Sequence, residues 1–236
     1  MEAPDVETSS DAYARRFAGP VGEWFLDVQA RTALELLSPW PGSTVLDVGG
    51  GHGQLTGPLV AAGHAVTVYG SAAECRLRVE GWIASGTARF QSGDLLRTSF
   101  PDRTFDAVVC FRLLPHVAAW RRLVAELCRV ARHAVVLDYP SARSVNAAAG
   151  PLFGLKKGVE GDTRPFEVFR DRDVRAAFDA EGFRRAARRA QFLLPMALHR
   201  GLGSQRLSRA LEAPAAALGL TRALGSPVIA RFDRRG

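Results

Sequence analysis

Lysine is nearly absent from this sequence. Lys156 and Lys157 are the only two among 31 basic residues in 236, and the other 29 are arginine. Such a skew, beside abundant alanine, is a compositional habit, so a formal charge of +7 is not by itself the mark of a polyanion-binding protein. Cysteine is scarce as well. Cys75, Cys110 and Cys128 are far apart and follow no CxxC or Cys/His ligand spacing, which argues against a zinc site or a disulfide framework and for buried thiols in a reducing compartment. No run approaches the roughly 20 apolar residues that span a bilayer. The apolar stretches at 192–198 and 213–220 are short and carry Pro195 and Pro214. Met1 to Asp11 is acidic and polar, without the basic start and apolar core of a signal peptide. The expectation is a soluble, cytoplasmic protein with no metal. An apolar fraction of 47% with 23% charged residues excludes a disordered or collagen-like chain.

What is present is an alternation of strand and helix signals. Residues 9–38 read as two helices, one capped by Ser9 or Ser10 and ended at Gly19-Pro20, the next over about 22–37. Strand-like runs follow at 44–48, 65–69, 88–91, 105–111 and 133–139, with helices over about 54–62, 72–84 and 117–131 between them. Residues 140–166, with Gly150-Pro151 and Lys156-Lys157-Gly158, read as a mobile loop or lid. A helix at 171–181, a strand at 184–194, one or two helices over 196–223 and a strand at 227–232 complete the chain. Alternation of this kind implies crossover units and a parallel sheet with helices on both faces. The expected fold is a seven-stranded, mostly parallel, doubly wound α/β sheet. It has an antiparallel last strand, N-terminal helices and a helical insertion before that strand. One domain spans 1–236, divided into an N-terminal helical cap (1–42), a ligand-binding half (43–139) and substrate-side elements (140–236).

The most informative stretch is Val45 to Leu55, VLDVGGGHGQL, in which an apolar strand feeds a glycine-rich turn and then a helix. Glycine permits positive φ and close approach of backbone to a ligand, and the helix start adds aligned N–H donors. A phosphate-binding loop needs Lys-Ser/Thr after its glycines, and none is here. The dinucleotide fingerprint fails too, because its third glycine position falls on Gln54 or Thr56. Asp47, two residues before Gly49, would attract a cationic ligand and repel a pyrophosphate.

Asp47-Val48-Gly49-Gly50-Gly51-His52-Gly53 resembles the first motif of class I S-adenosylmethionine-dependent methyltransferases. Ser92-Gly93-Asp94-Leu95-Leu96 after the third strand is similar to the family's adenine-binding segment. Phe105-Asp106-Ala107-Val108-Val109 followed by Leu114-Pro115-His116-Val117 resembles the branch that methylates small molecules and quinones. The resemblance implies S-adenosyl-L-methionine as cofactor and S-adenosyl-L-homocysteine as product. It implies cofactor contacts from Asp47, Gly49, Gly50, Gly51, Gly53, Asp94, Leu95, Phe111 and Arg112. One position departs from the pattern. The acid that closes the family's second strand, where the ribose hydroxyls are held, falls on Gly70, followed by Ser71, which is the candidate replacement.

Methyl transfer needs alignment first and a base when the acceptor is a hydroxyl, phenol or activated carbon. His116, just after the fourth strand, is the candidate base. Tyr13 on the N-terminal helix and Tyr139 at the end of the fifth strand are candidate substrate contacts, with local packing the plain alternative for all three. The charge is uneven. Residues 1–163 carry a net −1 and residues 164–236 a net +8, including Arg184, Arg185, Arg188, Arg189, Arg200, Arg206, Arg209 and Arg222. These can form a basic rim around an acceptor site, a peripheral contact with an anionic membrane, or simply a solvated face. The reading is methyl transfer to an oxygen or activated carbon of a small aromatic, quinone-like or natural-product acceptor of secondary metabolism. Two alternatives stay open: a non-catalytic cofactor-binding protein, and a nucleic-acid methyltransferase recruited by the C-terminal arginines, against which stands the absence of interleaved aromatics. Nothing in the sequence fixes an oligomeric state.

Overall fold

The computed structural model describes residues 3–145 and 166–236. The lid expected over 140–166 therefore lies largely outside the described residues, Lys156 and Lys157 included. Two short helices, α1 (Pro4–Thr8) and α2 (Asp11–Arg15), precede the long α3 (Gly19–Leu37). Then come β1 (Thr44–Val48), α4 (Thr56–Ala61), β2 (Ala65–Gly70), α5 (Glu80–Ala84), β3 (Ala88–Ser92), β4 (Phe105–Cys110), α6 (Trp120–Val130) and β5 (Ala131–Tyr139). The C-terminal part holds α7 (Asp171–Ala180), β6 (Phe183–Phe192), α8 (Met196–Leu202), α9 (Gln205–Ala217), α10 (Leu220–Leu224) and β7 (Ser226–Arg234).

The strands form one sheet in the order β3-β2-β1-β4-β5-β7-β6. β1 to β5 run parallel, and β7 is antiparallel to both of its neighbours. The order reverses between β1 and β4, so the carboxyl ends of these two strands open the crevice in which ligands of such sheets bind. The apolar runs of β1, β4 and β5 occupy the centre because helices cover both sheet faces there. Side chains alternate between the faces. Leu46, Val108, Val135 and Leu137 pack toward α6 and α7, while Val45, Val109 and Val136 pack toward α3 and α4. By the same period Asp47 and Asp138 belong to the α3 face, and Tyr139 to the opposite one.

The local differences from the sequence expectation have identifiable causes. The first expected helix is α2, capped by Ser10, whose hydroxyl accepts from the Tyr13 amide at 3.1 Å, and an unexpected short helix, α1, precedes it with Ser9 at its C-cap. Gly19-Pro20 opens α3 as well as closing the preceding turn, proline being suited to a first helical turn. The helix expected at 54–62 starts at Thr56, because the glycines wind into a 3-10 turn over Gly50–His52. Residues 73–79 are likewise a 3-10 turn leading into α5 rather than one continuous helix, and they press Cys75 against Gly51 and Gly70. The insertion before β7 is three short helices, anchored by the buried Glu212. Its carboxylate accepts from the Leu193 and Leu194 amides at 2.9 Å and faces Nε2 of His199 at 3.0 Å. The three cysteines are free and buried. Among the described residues, no helix is long and apolar enough to cross a membrane.

Candidate active site

The glycine turn after β1 is shaped by its own sequence. Gly49 (φ 74°) and Gly53 (φ 77°) occupy the left-handed region, which side-chain-bearing residues rarely enter. The Gly49 amide donates to the Tyr69 carbonyl at 2.8 Å, which ties the turn to β2. A Cβ on Gly50 would overlap the Asp47 carboxyl group, and one on Gly51 would overlap Ser9 and Cys75. Asp47 is 2% exposed. Burial pushes its carboxyl up to about 7, against the pull of the Arg112 guanidinium, and its Oδ2 has no hydrogen-bond partner. His52, inside the turn, is pushed down to about 3 by burial and by the Arg112 and Arg78 cations, so its ring is neutral. It meets the edges of Tyr13 and Phe17 at 5.6 and 5.9 Å and therefore shapes the loop.

Arg112 stands between two cavities. A small one lies against the glycine turn, bordered by Asp47, Gly49, His52 and Phe111. The other, about 310 Å³, opens on the α3 side of the sheet. Arg112 adopts φ 56°, uncommon for arginine, and its backbone N–H donates to Asp138 Oδ1 at 2.6 Å. The guanidinium lies 4.8 Å from the Phe17 ring centre and 5.6 Å from that of Tyr13, with Nη1 3.4 Å from His52 Nε2. Burial lowers its pKa.

The larger cavity is mostly apolar. Tyr13, Phe17, Phe25, Phe192 and Met196 form walls, and Gln29, Arg112, His116 and Asp138 supply the polar groups. Burial raises Asp138 to about 6. Its Oδ2 accepts from Gln29 Nε2 at 3.3 Å, and Gln29 Oε1 accepts from Gln54 Nε2 at 2.6 Å. A polar chain thus runs from the glycine turn to the cavity. His116 sits in a 3-10 turn (Leu114–His116) after β4, its ring 5.7 Å from Phe166.

A third cavity, about 280 Å³, lies beyond the ends of β3 and β4 and is bordered by Asp94, Leu95, Leu96 and Val117, with Pro4 of α1 over it. Asp94 Oδ1 accepts from the Leu96 amide at 2.9 Å, which fixes that turn. Between this cavity and the glycine turn lie Gly70 and Ser71.

Most residues singled out from the sequence therefore converge. Asp47, Gly49, Gly50, Phe111 and Arg112 surround the small cavity, Gly51 and Gly53 complete the turn above it, and Asp94 and Leu95 line the third. Tyr13 and His116 line the large cavity. Tyr139 does not. It is 1% exposed on the opposite face, and its hydroxyl donates to Asp171 at 3.1 Å. The sequence reading took it for its place at the end of β5, one residue out of phase with Asp138. Asp138 and Gln29 were missed, although both had a signal. Asp138 is the lone charge in the apolar strand expected at 133–139, and Gln29 falls four residues after Phe25 on the buried stripe of α3. Asp5, which reaches Ser71, was missed with no local signal.

The donor set fits the S-adenosylmethionine that the sequence resemblance implies. Three adjoining subsites follow the carboxyl ends of β3, β1 and β4, and the unpartnered Asp47 Oδ2 lies at the middle one, beneath a turn whose glycines bring backbone close. Residues 46–137 match the family described as a methyltransferase domain. No protein of curated function matches the chain. Among solved structures it resembles magnesium protoporphyrin IX methyltransferase (ChlM) from Synechocystis PCC 6803 with bound S-adenosylhomocysteine (18% identity, 94% of this chain and 92% of that one, TM-score 0.63). It also resembles the YcgJ protein of Bacillus subtilis (16%, 86% and 97%, TM-score 0.59) and the [4+2]-cyclase SpnF (16%, 87% and 81%, TM-score 0.60).

Proposed function

We propose that this chain, whose residues 46–137 match a methyltransferase domain, is a class I S-adenosylmethionine-dependent enzyme that methylates an oxygen or activated carbon of a small, largely apolar organic acceptor. The observation that carries the reading is the apolar cavity of about 310 Å³ beside the glycine turn, with Arg112 bordering both it and the cofactor cavity. Its volume and lining suit an aromatic or quinone-like molecule held by a few polar groups.

Bound S-adenosylmethionine supplies an electrophilic methyl group on a sulfonium sulfur. The protein's own work is to bind, align and exclude water. Phe25, Phe192 and Met196 hold the acceptor's apolar body, and Tyr13 and Phe17 close the site from the N-terminal helices. Holding the acceptor atom in line supplies much of the rate. His116 and Asp138 reach the cavity as polar groups. With its carboxyl raised to about 6, Asp138 can accept a proton from an acceptor hydroxyl near neutral pH. Arg112 counters the Asp47 carboxylate and is placed for the cofactor's own carboxylate. Calorimetry with S-adenosylhomocysteine, followed by transfer of labelled methyl from S-adenosylmethionine to a panel of phenols, quinols and hydroxylated aromatics, tests the reading. Tight binding and turnover on a panel member are expected. Absence of binding up to millimolar ligand refutes the cofactor assignment, and binding with label transferred only to RNA or DNA refutes the acceptor class.

A further inference from the structure

The second strand ends without a carboxylate, and the fold explains why glycine stands there. A Cβ on Gly70 would lie 2.5 Å from Cys75 Cβ and 3.2 Å from its sulfur, so the turn that packs Cys75 leaves no room for a side chain. A carboxylate nevertheless reaches this point from elsewhere in the chain. Asp5, on α1, is fully buried. Its Oδ2 accepts from the Ser71 amide at 2.9 Å and from the Cys75 thiol at 3.4 Å. Two polar atoms of this pair have no partner: Asp5 Oδ1 and Ser71 Oγ, both buried. A buried carboxylate oxygen without a donor is costly, and such atoms normally belong to a site that supplies one.

The course of the N-terminal segment gives the position meaning. Pro4 borders the Asp94 cavity, Asp5 meets Ser71, Ser9 lies against Gly51, and Tyr13 and Phe17 reach His52 and Arg112. Residues 4–17 thus cross the carboxyl ends of β3, β2, β1 and β4 in turn, with Asp5 between the Asp94 cavity and the glycine turn. A ligand lying along that line with a neutral vicinal diol at its middle would offer two O–H donors to Asp5 Oδ1 and an acceptor to Ser71 Oγ.

We propose that Asp5 and Ser71 hold the ribose hydroxyls of the cofactor, so that the carboxylate absent from the end of β2 is delivered by α1. The inference rests on the cofactor reading above. The N-terminal helix then does more than cover the site, because it completes a subsite that the sheet leaves unfinished.

The test is calorimetry on the full chain with S-adenosylhomocysteine and its 2′,3′-dideoxy analogue. For wild type, the analogue is expected to bind about tenfold to a hundredfold more weakly, as loss of hydrogen bonds to a charged acceptor predicts. Asp5→Asn, which preserves shape and an oxygen for the Ser71 amide, is expected to weaken S-adenosylhomocysteine by a similar factor and to leave the analogue's affinity unchanged. Equal wild-type affinity for the two ligands overturns the proposal without requiring a variant to fold. So does an unchanged Asp5→Asn affinity, an equal loss for both ligands, or tighter binding, which would make Asp5 a plug. Wild type that binds no S-adenosylhomocysteine removes the cofactor reading itself, a result distinct from all of these.

Discussion

Asp47→Asn separates the cost of the site from its use. The carboxyl is 2% exposed, and burial pushes it from 3.8 to about 7. One pKa unit corresponds to about 1.4 kcal/mol, so the ionised group leaves the fold roughly 4 kcal/mol less stable well above pH 7 than if it stayed protonated. The native state binds this proton more tightly than the unfolded chain. Its contribution is therefore fully present below about pH 3.8 and is lost as pH rises toward 7. Asparagine keeps the shape and does not titrate. The variant is expected to exceed wild type in stability at pH 8 by up to about 4 kcal/mol, with the difference closing toward pH 4. For a chain of this length each kcal/mol moves the midpoint by about 2–4 °C, which puts the upper limit near 8–16 °C. Relaxation of the pocket around the charge brings it to about half of that, so about 4–8 °C is expected. Affinity for S-adenosylhomocysteine, whose ammonium gains from a carboxylate, should fall in the same protein. Thermal unfolding of both proteins from pH 4.5 to 8.5, with calorimetry at pH 8, reads both effects. A variant less stable than wild type at pH 8, or a difference independent of pH, refutes the reasoning.

Three further outcomes follow from particular bonds. Glu212→Ala strands the Leu193 and Leu194 amides and the His199 ring, and should lower stability by about 2–4 kcal/mol in denaturant titration; a change under 0.5 kcal/mol would remove the anchoring role. Tyr139→Phe loses one hydrogen bond to Asp171, about 1 kcal/mol, and should leave turnover at wild-type level because the ring is on the far face of the sheet; a tenfold fall in kcat would return Tyr139 to the site. Wild type is expected to show a rise in kcat/KM through about pH 6 as the Asp138 carboxyl ionises and Asp138→Asn to abolish it, and an unaltered pH profile would exclude Asp138 as proton acceptor.

The sheet was legible because its signals are local. β1, β2, β4 and β5 are short, mostly apolar runs, and the glycine turn with Asp47 is contiguous in sequence. The site divides differently. Residues contributed by consecutive segments, Asp47 to Gly53 and Asp94-Leu95, could be read directly. The phase of β5 could have been read too: Val136 is buried on the α3 face, so Asp138 shares that face and Tyr139 cannot. Asp5 lay beyond local reading. Its role depends on a separation of 66 residues to Ser71, and the acidic stretch around it looks like any solvated terminus. The helix expected at 72–84 failed for a related reason, because the tight turn that replaces it serves the packing of Cys75 against Gly51 and Gly70.

The arginine surplus acquires a use that differs from the one its charge suggested. Arg185 and Arg188 share Asp171 at 3.3 and 2.7 Å, Arg189 meets Glu35 at 2.7 Å, and Arg235 meets Asp179 at 2.6 Å. Arg234 donates to the Cys128 and Ala131 carbonyls at 2.6 and 2.7 Å, Arg200 to the Arg16 carbonyl at 2.6 Å, and Arg188 also to the Arg222 carbonyl at 2.6 Å. Exposed pairs contribute little one at a time, about 0–1 kcal/mol. Their arrangement matters more: they tie β6 to α3 on one face of the sheet, tie β6, β7 and the chain end to α6 and α7 on the other, and join α8 to the turn after α2. A guanidinium offers five donors in a fixed fork and can serve two acceptors at once, as Arg188 and Arg234 do, whereas an ammonium is a compact point charge. Donors engaged in this way are withdrawn from any polyanion, so these arginines, part of the surplus that raised the question of nucleic acid, instead hold the C-terminal elements to the sheet and its helices.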